Sequence, residues 1–486
     1  MKVQTLEVSV ANKPFPDAQG WFDAARLLPK NINENKTLKT KGILCPLALE
    51  VLKNAFKAGL PRFVGWDLGK VPDENREVFV GAARVYKRGV RVREIPDTPS
   101  RLGMTPPPGN AATPFRTETT VVEFGHSVES AMQSSNPEDA FVVIDANVAE
   151  LWKFPTPTNG IVCRFGETTK TLESVRTILD TWDQASKRRP FVIVGGGLLG
   201  DVAGFAASLC QQAFVYVPTT LLAMVDASIG GKTGVNFPPY GKNQVGVFAN
   251  PSKVIISSEW LETLPERERR AGFAECLKHG FLSEDEGLMG RLMGYPSAQD
   301  DGDGLAAQDG GLAALNDGLL RELVEVKARV VMKDPYESGP RKSLNLGHTL
   351  AHALEAISHS TNHTIHHGEA VALGLCFCFF VSRELELISE GELDRWLTWM
   401  RRSRCLVAKA DLRFFLGNGD LMAPILFEAI HQNMSHDKKN YATSDEIQMT
   451  LLTGMGKVHN AEQGYTTSVN AEVLKASWRR LVDFLH

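Results

Sequence analysis

The sequence lacks the features that mark a membrane-spanning, secreted or nucleic-acid-binding protein. Its longest apolar run, Val371–Val381, is too short to span a bilayer, and the first residues hold no apolar core of the signal-peptide type. The net charge of −4 at pH 7 gives no electrostatic reason to expect nucleic acid or an anionic membrane as a partner. We therefore expect a cytoplasmic protein that acts on a small molecule.

Closely spaced cysteines are also missing. The seven cysteines are scattered along the chain and form no Cys-x-x-Cys pair, so neither a cysteine zinc site nor a small-domain disulfide framework is indicated. We expect reduced and mostly buried thiols, including Cys376 and Cys378 in the longest apolar run.

The sequence does contain enough apolar residues for more than one core. Its 486 residues are 43% hydrophobic and 23% charged, as in a soluble globular protein of two or three domains. We predict an N-terminal extension with a proline-rich linker over residues 1–120, an α/β domain over 121–265 and a mainly helical domain over 266–486. A β-type stretch returns near the C-terminus, and residues 296–318 are typical of an acidic loop.

Apolar strands alternate with amphipathic helices after residue 121, which is typical of a parallel α/β sheet. Three glycines, Gly195 to Gly197, stand between a strand and a helix in FVIVGGGLLGD. A backbone without Cβ atoms can approach a pyrophosphate, which the helix N-terminus also favours. A tight strand-to-helix turn with no ligand would explain the glycines equally well.

Two glycine-flanked lysines follow in a hydroxyl-rich region that contains VPTTLLAMVDASIGGKTGVN and GKN. Lys232 and Lys242 suit an anionic ligand, because each is a point charge and glycine clears space beside it. Either lysine alone is usually part of the solvated surface.

Two histidines one helical turn apart, His348 and His352 in LNLGHTLAHALE, are one signal of a metal site. Such a pair is more often two satisfied histidines, so further ligands must decide. AECLKHG offers Glu275, although a surface ion pair with Lys278 is the simpler interpretation, and HHGEAVALG offers His367. Two imidazoles and one carboxylate leave coordination positions open, which is the pattern of a catalytic zinc site.

Cationic and amide side chains accumulate around these candidate ligands. They are Lys327, Arg341, Asn345, Lys438 and Lys439. Because unpaired buried charge is costly, a site with so many cations should bind a substrate with at least two anionic groups, such as a phosphate and a carboxylate.

Together these segments resemble the dehydroquinate synthase family of sugar phosphate cyclases, over roughly residues 125–486. The family's markers occur in order as DANV, GETTK, GGGLLGDVAGFAA, VPTTLLAMVDASIGGKTGVN, GKN, AECLKHG, EVKARVV, RKSLNLGHTLAHALE, HHGEAV and DKKN. The resemblance implies a Rossmann-like NAD-binding domain followed by a mainly helical metal-binding domain, in a homodimer.

By this resemblance, three sets of residues carry the function. NAD would be held by Asp145, Asn147, Glu167, Lys170, Gly195, Gly196, Gly197, Asp201, Thr219 and Thr220. Zinc or cobalt would be held by Glu275, His348 and His367. The catalytic residues would be Asp226, Lys232, Lys278, Lys327 and His352, with Lys242, Asn243, Arg341, Asn345 and Lys438 around the substrate.

The implied reaction uses NAD catalytically. Oxidation of an alcohol beside zinc acidifies the neighbouring C–H, phosphate is eliminated, hydride returns, and an intramolecular aldol reaction closes the ring. Arg341 and Asn345 favour 3-deoxy-arabino-heptulosonate 7-phosphate as substrate, because a planar guanidinium suits a carboxylate. The product would be 3-dehydroquinate, in the shikimate pathway of aromatic amino acid biosynthesis.

Three alternatives remain open. Between Ala207 and Pro218 the segment SLCQQAFVYV lacks an arginine that the family usually carries, so sedoheptulose 7-phosphate or another sugar phosphate is an alternative substrate. A metal-dependent polyol dehydrogenase of similar build would release NADH stoichiometrically. The non-enzymatic alternative is a scaffold protein that has lost catalysis.

Overall fold

The computed structural model describes residues 115–116, 120–135, 137–185, 189–237, 241–294, 315–361, 363–435 and 446–485. Their packing forms two units, each discontinuous in sequence. The first comprises Met132–Val217 and Gly231–Lys253, and the second comprises the described parts of Asn110–Ala131, Pro218–Gly230 and Val254–His486. The predicted extension and the acidic loop lie almost entirely outside the described residues, and the predicted domain boundaries stay predictions.

The regular elements are numbered here in chain order. The strands are β1 (Phe115–Arg116), β2 (Val121–Glu123), β3 (Phe141–Asp145), β4 (Gly160–Cys163), β5 (Phe191–Gly195), β6 (Phe214–Pro218), β7 (Lys232–Phe237), β8 (Gly241–Phe248), β9 (Lys253–Ile255), β10 (Ile447–Met449), β11 (Leu452–Gly454), β12 (Lys457–Val458) and β13 (Thr467–Val469). The helices are α1 (Val128–Ser134), α2 (Ala146–Leu151), α3 (Leu172–Ala185), α4 (Gly197–Leu209), α5 (Glu266–Leu282), α6 (Glu286–Leu292), α7 (Asp317–Lys333), α8 (His348–Ser360), α9 (His367–Glu384), α10 (Glu390–Arg402), α11 (Lys409–Phe415), α12 (Pro424–Ser435) and α13 (Ala471–Phe484).

The first unit contains a parallel sheet with helices between its strands. Four strands lie side by side in the order β6–β5–β3–β4, and β3 runs parallel to both of its neighbours. Every residue of β5 is buried, as are four of the five residues of β3, because strands covered on both faces are apolar throughout. Strands β7 and β8 add an antiparallel hairpin that the sequence analysis did not predict.

The second unit is mainly helical. Its α9 is buried from Gly368 to Ser382 and packs against α5, α8, α10 and α13, so the longest apolar run of the sequence forms the centre of this unit. The β-type stretch expected near the C-terminus appears as the antiparallel pairs β10–β13 and β11–β12. The predicted fold class, a Rossmann-like α/β region followed by a helical region, is confirmed.

The cysteines and the apolar character of the helices were both considered in the sequence analysis. The described cysteines are free thiols, and all except Cys210 are buried, as predicted. Among the helices of the described residues, none combines the length and the apolar character needed to cross a membrane.

Candidate functional site

Three helices of the second unit bring the predicted metal ligands together. Glu275 lies within α5, His348 begins α8, and His367 begins α9. The Nε2 atoms of His348 and His367 lie 3.5 Å and 3.3 Å from Glu275 Oε1. Ligand atoms about 2.1 Å from a tetrahedral zinc ion are roughly 3.4 Å apart. The three side chains are therefore spaced as ligands of one ion, and the buried Glu275 Oε1 accepts no hydrogen bond.

The second nitrogen of each histidine ring faces an acceptor. His348 Nδ1 lies 3.1 Å from the carbonyl oxygen of Leu346, and His367 Nδ1 lies 3.3 Å from Glu355 Oε2. A proton on Nδ1 leaves the Nε2 lone pair directed at the metal position. Sequence analysis missed Glu355, although its place two helical turns after His348 puts it on the same face of α8.

Two glycines set the positions of these helices. Gly347, directly before His348, has a φ of +80°, a left-handed conformation that glycine adopts without strain. A Cβ on Gly368 would lie 1.7 Å from the carbonyl oxygen of Ala271. Helix α9 therefore approaches α5 closely at Gly368, the residue after His367. The contact on α5 is at Ala271, one turn before Glu275. A larger side chain at Gly368 would push the two helices apart and separate His367 from Glu275.

The protonation of the two histidines differs in the metal-free chain. Burial, followed by repulsion from Lys278, lowers the pKa of His348 well below its ordinary value, so its ring is neutral. Burial alone would also lower the pKa of His367, but attraction by Glu355 and Glu275 outweighs it and raises the pKa to about 10. A metal ion at His367 therefore displaces a proton.

Two buried lysines converge on one carboxylate next to the three ligands. Asp226 belongs to the π-helical turn Ala223–Ala227, and its Oδ1 lies 2.8 Å from Lys327 Nζ and 3.4 Å from Lys278 Nζ. Lys278 Nζ also lies 2.5 Å from Glu275 Oε2. The pair of Glu275 and Lys278 is thus a buried ion pair, not a surface one, and it joins Asp226 to the metal ligands.

These charges shift one another's pKa values. Burial raises the pKa of Asp226, but Lys278 and Lys327 outweigh it and hold that pKa well below its usual range. Burial lowers the pKa of Lys278, but Asp226 and Glu275 outweigh it and leave that pKa above its ordinary value. For Lys327 the effect of burial outweighs the attraction by Asp226, and the pKa falls to about 8. At neutral pH two carboxylates therefore balance two ammonium groups.

Arg341 is almost fully buried and is held by main-chain oxygens. Its Nη1 donates to the carbonyl of Pro335 at 2.5 Å, and its Nη2 donates to the carbonyl of Gly230 at 2.8 Å. Asn345 Nδ2 donates to Glu337 Oε1 at 2.7 Å. Sequence analysis missed Glu337, because a single acidic residue in a proline- and glycine-containing loop is a weak signal.

The remaining catalytic and substrate candidates of the second unit have different environments. His352 is exposed, and its ring lies 5.5 Å from that of His348 and 6.4 Å from that of His367. It therefore lies beside the three metal ligands and not among them. Lys438 lies outside the described residues.

In the first unit, candidate NAD residues gather at the carboxyl ends of β3 and β5. Asp145 ends β3 and accepts a hydrogen bond from the backbone amide of Asn147. A Cβ on Gly195, which ends β5, would lie 3.2 Å from the Asp145 Cβ. Helix α4 begins at Gly197 without a side-chain cap. Parallel sheets bind nucleotides at this edge, where uncapped helix amides can face a pyrophosphate.

A second group of NAD candidates forms a hydrogen-bonded network. The buried Lys170 donates to Asp201 Oδ2 and to Asn243 Oδ1, each at 2.5 Å. Asn236 connects Asn243 to Glu167, because its Oδ1 accepts from the Asn243 amide and its Nδ2 donates to Glu167 Oε1. Three sequence markers, GETTK, GGGLLGD and GKN, thus meet in one network.

The hairpin separates the two lysines that the sequence grouped together. The register pairs Lys232 with Phe248 at the open end, and Phe237 with Gly241 at the turn. Lys232 and Lys242 are thus about five residues apart along the hairpin, roughly 16 Å. Lys242 Nζ lies 3.8 Å from Glu167 Oε1, and Lys232 is exposed.

The other NAD candidates have local partners. Asn147 Oδ1 accepts from Arg164 Nη1 at 2.7 Å. Thr219 and Thr220 follow β6 and belong to the second unit, where Thr220 Oγ1 accepts from the amide of Ala223, the first residue of the π-helical turn.

Sequence analysis also missed Tyr216. Its hydroxyl donates to the carbonyl oxygen of Gly196 at 2.9 Å, and a Cβ on Gly200 would collide with its ring. This tyrosine of β6 therefore holds the glycine turn and the start of α4 in position.

The fold and the site define a class of protein: an α/β and helical enzyme with two histidines and one carboxylate spaced as ligands of one metal ion, next to buried lysines suited to an anion. Comparison with known proteins identifies the family. The family described as 3-dehydroquinate synthase N-terminal matches residues 160–271, and that described as 3-dehydroquinate synthase C-terminal matches residues 272–440. The chain belongs to the 3-dehydroquinate synthase family.

Individual relatives agree with this assignment. The 3-dehydroquinate synthase of Acidithiobacillus ferrooxidans is 40% identical over 267 residues, which cover 52% of this chain and 70% of the relative. That of Microcystis aeruginosa is 37% identical over 346 residues, covering 70% of this chain and 87% of the relative. A crystal structure of 2-deoxy-scyllo-inosose synthase, complexed with carbaglucose-6-phosphate, NAD+ and Co2+, is 25% identical with a TM-score of 0.58, covering 74% and 96% of the two chains. The resemblance drawn from the sequence is confirmed.

Proposed function

We propose that this chain is a sugar phosphate cyclase that uses NAD and a zinc or cobalt ion. It converts 3-deoxy-arabino-heptulosonate 7-phosphate to 3-dehydroquinate and releases phosphate, as a carbon–oxygen lyase of the shikimate pathway. The observation that carries the proposal is the spacing of Glu275, His348 and His367 for one ion, joined through Lys278 to the carboxylate of Asp226. The relatives named 3-dehydroquinate synthase support this choice of substrate.

The residues fit both cofactors. Glu275 Oε1 is buried without a hydrogen bond between two Nε2 atoms, as a metal ligand would be. Gly195 brings bare backbone to the sheet edge beside the uncapped start of α4, as a pyrophosphate requires. When bound, NAD supplies a reversible hydride acceptor and the metal polarises an alcohol oxygen.

The chain's own residues bind the anionic substrate and move protons. Lys278 and Lys327 offer two buried positive charges, whose attraction for phosphate is stronger at low dielectric than in water. Asp226 holds both ammonium groups in place, and Asp226 and Glu275 together balance their charge. We assign His352 the proton transfer at the leaving phosphate, because its ring is exposed beside the metal ligands and imidazole is suited to this role near neutral pH.

We assign Arg341 and Asn345 to the substrate carboxylate. The hydrogen bonds from Arg341 to Pro335 and Gly230 fix the plane of the guanidinium, which favours bidentate recognition. The side-chain amide of Asn345 has two N–H donors, and one of them is bonded to Glu337 Oε1, which fixes the orientation of the amide. Lys232, Lys242, Asn243 and Lys438 complete the proposed substrate set.

The pKa of Lys327 allows a test by pH. We expect kcat/KM to fall as pH rises through about 8, because the neutral amine no longer attracts the anionic substrate. In Lys327→Arg the guanidinium stays charged, so this alkaline limb should move well above pH 8. The measurement is kcat/KM against pH for the wild type, for Lys327→Arg and for the exposed Lys333→Arg at the end of the same helix. An alkaline limb unchanged in Lys327→Arg would contradict the assignment.

A second candidate function keeps the chemistry and changes the substrate. It is favoured by the missing arginine in the segment between Ala207 and Pro218, and by the similarity to 2-deoxy-scyllo-inosose synthase. Phosphate release should be measured with 3-deoxy-arabino-heptulosonate 7-phosphate and, separately, with sedoheptulose 7-phosphate. Release from the first alone supports the proposal, whereas release from the second alone supports the alternative.

We further propose that the chain acts in the cytoplasm as a homodimer. Both statements follow from the family resemblance. Sedimentation of the purified protein measures the oligomeric state, and a monomer at working concentrations would contradict the proposal.

A further inference from the structure

His279 is a buried polar residue for which the proposed reaction has no role. It lies in α5 directly after Lys278 and one turn after Glu275, and its side chain is fully buried. Neither ring nitrogen has a hydrogen-bond partner. Leaving a buried polar group without a partner costs stability, so such a group in a native protein calls for an explanation.

The nearest acceptor is the carboxylate at the centre of the lysine cluster. His279 Nε2 lies 3.7 Å from Asp226 Oδ1, the same oxygen that faces Lys278 and Lys327. This distance is about half an ångström beyond a normal hydrogen bond. Three donors therefore surround one carboxylate oxygen, and two of them, both lysines, contact it.

A second metal site is the obvious alternative for this group. Donor atoms of Asp226, Glu275 and His279 lie within 4.8 Å of one another. Lys278 Nζ, however, lies 3.4 Å from Asp226 Oδ1 and 2.5 Å from Glu275 Oε2. An ammonium group is thus already the cation between the two carboxylates, and a divalent ion there would be strongly repelled at low dielectric.

We propose that His279 is a positioning residue that acts as a reserve donor to Asp226. This inference rests on the proposed function. When an anionic substrate draws the ammonium groups of Lys278 and Lys327 toward itself, Asp226 Oδ1 loses part of its hydrogen bonding. The Nε2–H of a neutral His279 then closes on that oxygen and keeps the Asp226 carboxylate hydrogen-bonded and oriented.

A neutral donor suits this position. Lys278 and Lys327 already place two positive charges beside Asp226 Oδ1, so a third positive charge at the same oxygen would be repelled by them. Burial favours the neutral form of the imidazole ring. The missing partner of Nε2 is then explained, because Asp226 Oδ1 becomes available to it only when the lysines move toward a substrate.

Two substitutions separate this role from simple packing. His279→Leu removes the donor at similar volume, and His279→Gln keeps an N–H donor near the position of Nε2. We expect His279→Leu to lower kcat about tenfold to a hundredfold, the range for a hydrogen bond to a charged group, without lowering the denaturation midpoint. His279→Gln should stay within about threefold of the wild type. A core histidine with a purely structural role would show the reverse, a lower midpoint with kcat unchanged.

A second readout does not require turnover. Binding of inorganic phosphate, measured by calorimetry on metal-loaded protein, should weaken about tenfold in His279→Leu and little in His279→Gln. If the wild type proves inactive, the proposed function fails, while the phosphate-binding comparison still decides the role of His279. Equal behaviour of His279→Leu and the wild type, or of His279→Leu and His279→Gln, would overturn the inference.

Discussion

His348→Ala loses the bound metal and all measurable turnover, whereas His352→Ala keeps the metal. We expect this contrast because the Nε2 of His348 lies 3.5 Å from Glu275 Oε1, while the ring of His352 lies beside the ligands and is exposed. Removing a direct ligand should weaken metal binding by more than the tenfold to hundredfold typical of indirect partners. His352→Ala should lower kcat by roughly a hundredfold to ten-thousandfold, the range for a lost general acid or base.

The measurement is metal content after dialysis, together with kcat and circular dichroism. His366→Ala is the matched control, because this neighbouring histidine lies 3.4 Å from Glu268 and is not among the three ligands. The control should keep both metal and activity. Equal metal loss in His348→Ala and His352→Ala would contradict the division of roles between them.

Lys278→Met strongly destabilises the metal-free protein and abolishes turnover. Lys278 is the ion-pair partner of Glu275, both side chains are buried, and Lys278 also contacts the partly exposed Asp226. Breaking a buried ion pair leaves an uncompensated charge, which typically costs about 3–5 kcal/mol. The measurement is the free energy of unfolding by denaturant, without and with added zinc. Bound zinc should recover part of the loss, because it neutralises Glu275.

Two further variants make this prediction specific. Lys333→Met removes an exposed lysine, and its free energy of unfolding should lie within about 0.5 kcal/mol of the wild type. Glu275→Gln combined with Lys278→Met removes both charges of the pair and should recover stability but not metal binding. A Lys278→Met variant as stable as the wild type would show that the cluster is not held together by these charges.

The fold class could be predicted from the sequence because its signals are local. The apolar residues of β3 and β5, the glycines after β5 and the period of α3 each specify their own element. The hairpin of β7 and β8 was missed because its signals are not local. Its residues pair across strands, and the glycines around Lys232 and Lys242 indicated an anion site as readily as a turn.

The three candidate metal ligands, Glu275, His348 and His367, lie together in the structure, as the sequence pattern suggested, and their assignment as ligands stays a prediction. The charge cluster could not be derived in the same way. Asp226, Lys278 and Lys327 lie in three separate elements, and nothing local indicates that one carboxylate oxygen faces both ammonium groups. That contact arises from tertiary packing, which a local sequence pattern does not reveal. The position of His279 beside Asp226 could not be derived for the same reason, because in the sequence this residue resembles any other in a buried helix.

The most direct test of the central claim counts phosphate and NADH in one reaction. Purified, metal-loaded protein receives 3-deoxy-arabino-heptulosonate 7-phosphate and a small amount of NAD. A cyclase returns the hydride in each cycle, so we predict many phosphate ions released per NAD molecule and no accumulation of NADH. NADH formed in step with substrate loss, without phosphate release, would contradict the account and favour a polyol dehydrogenase.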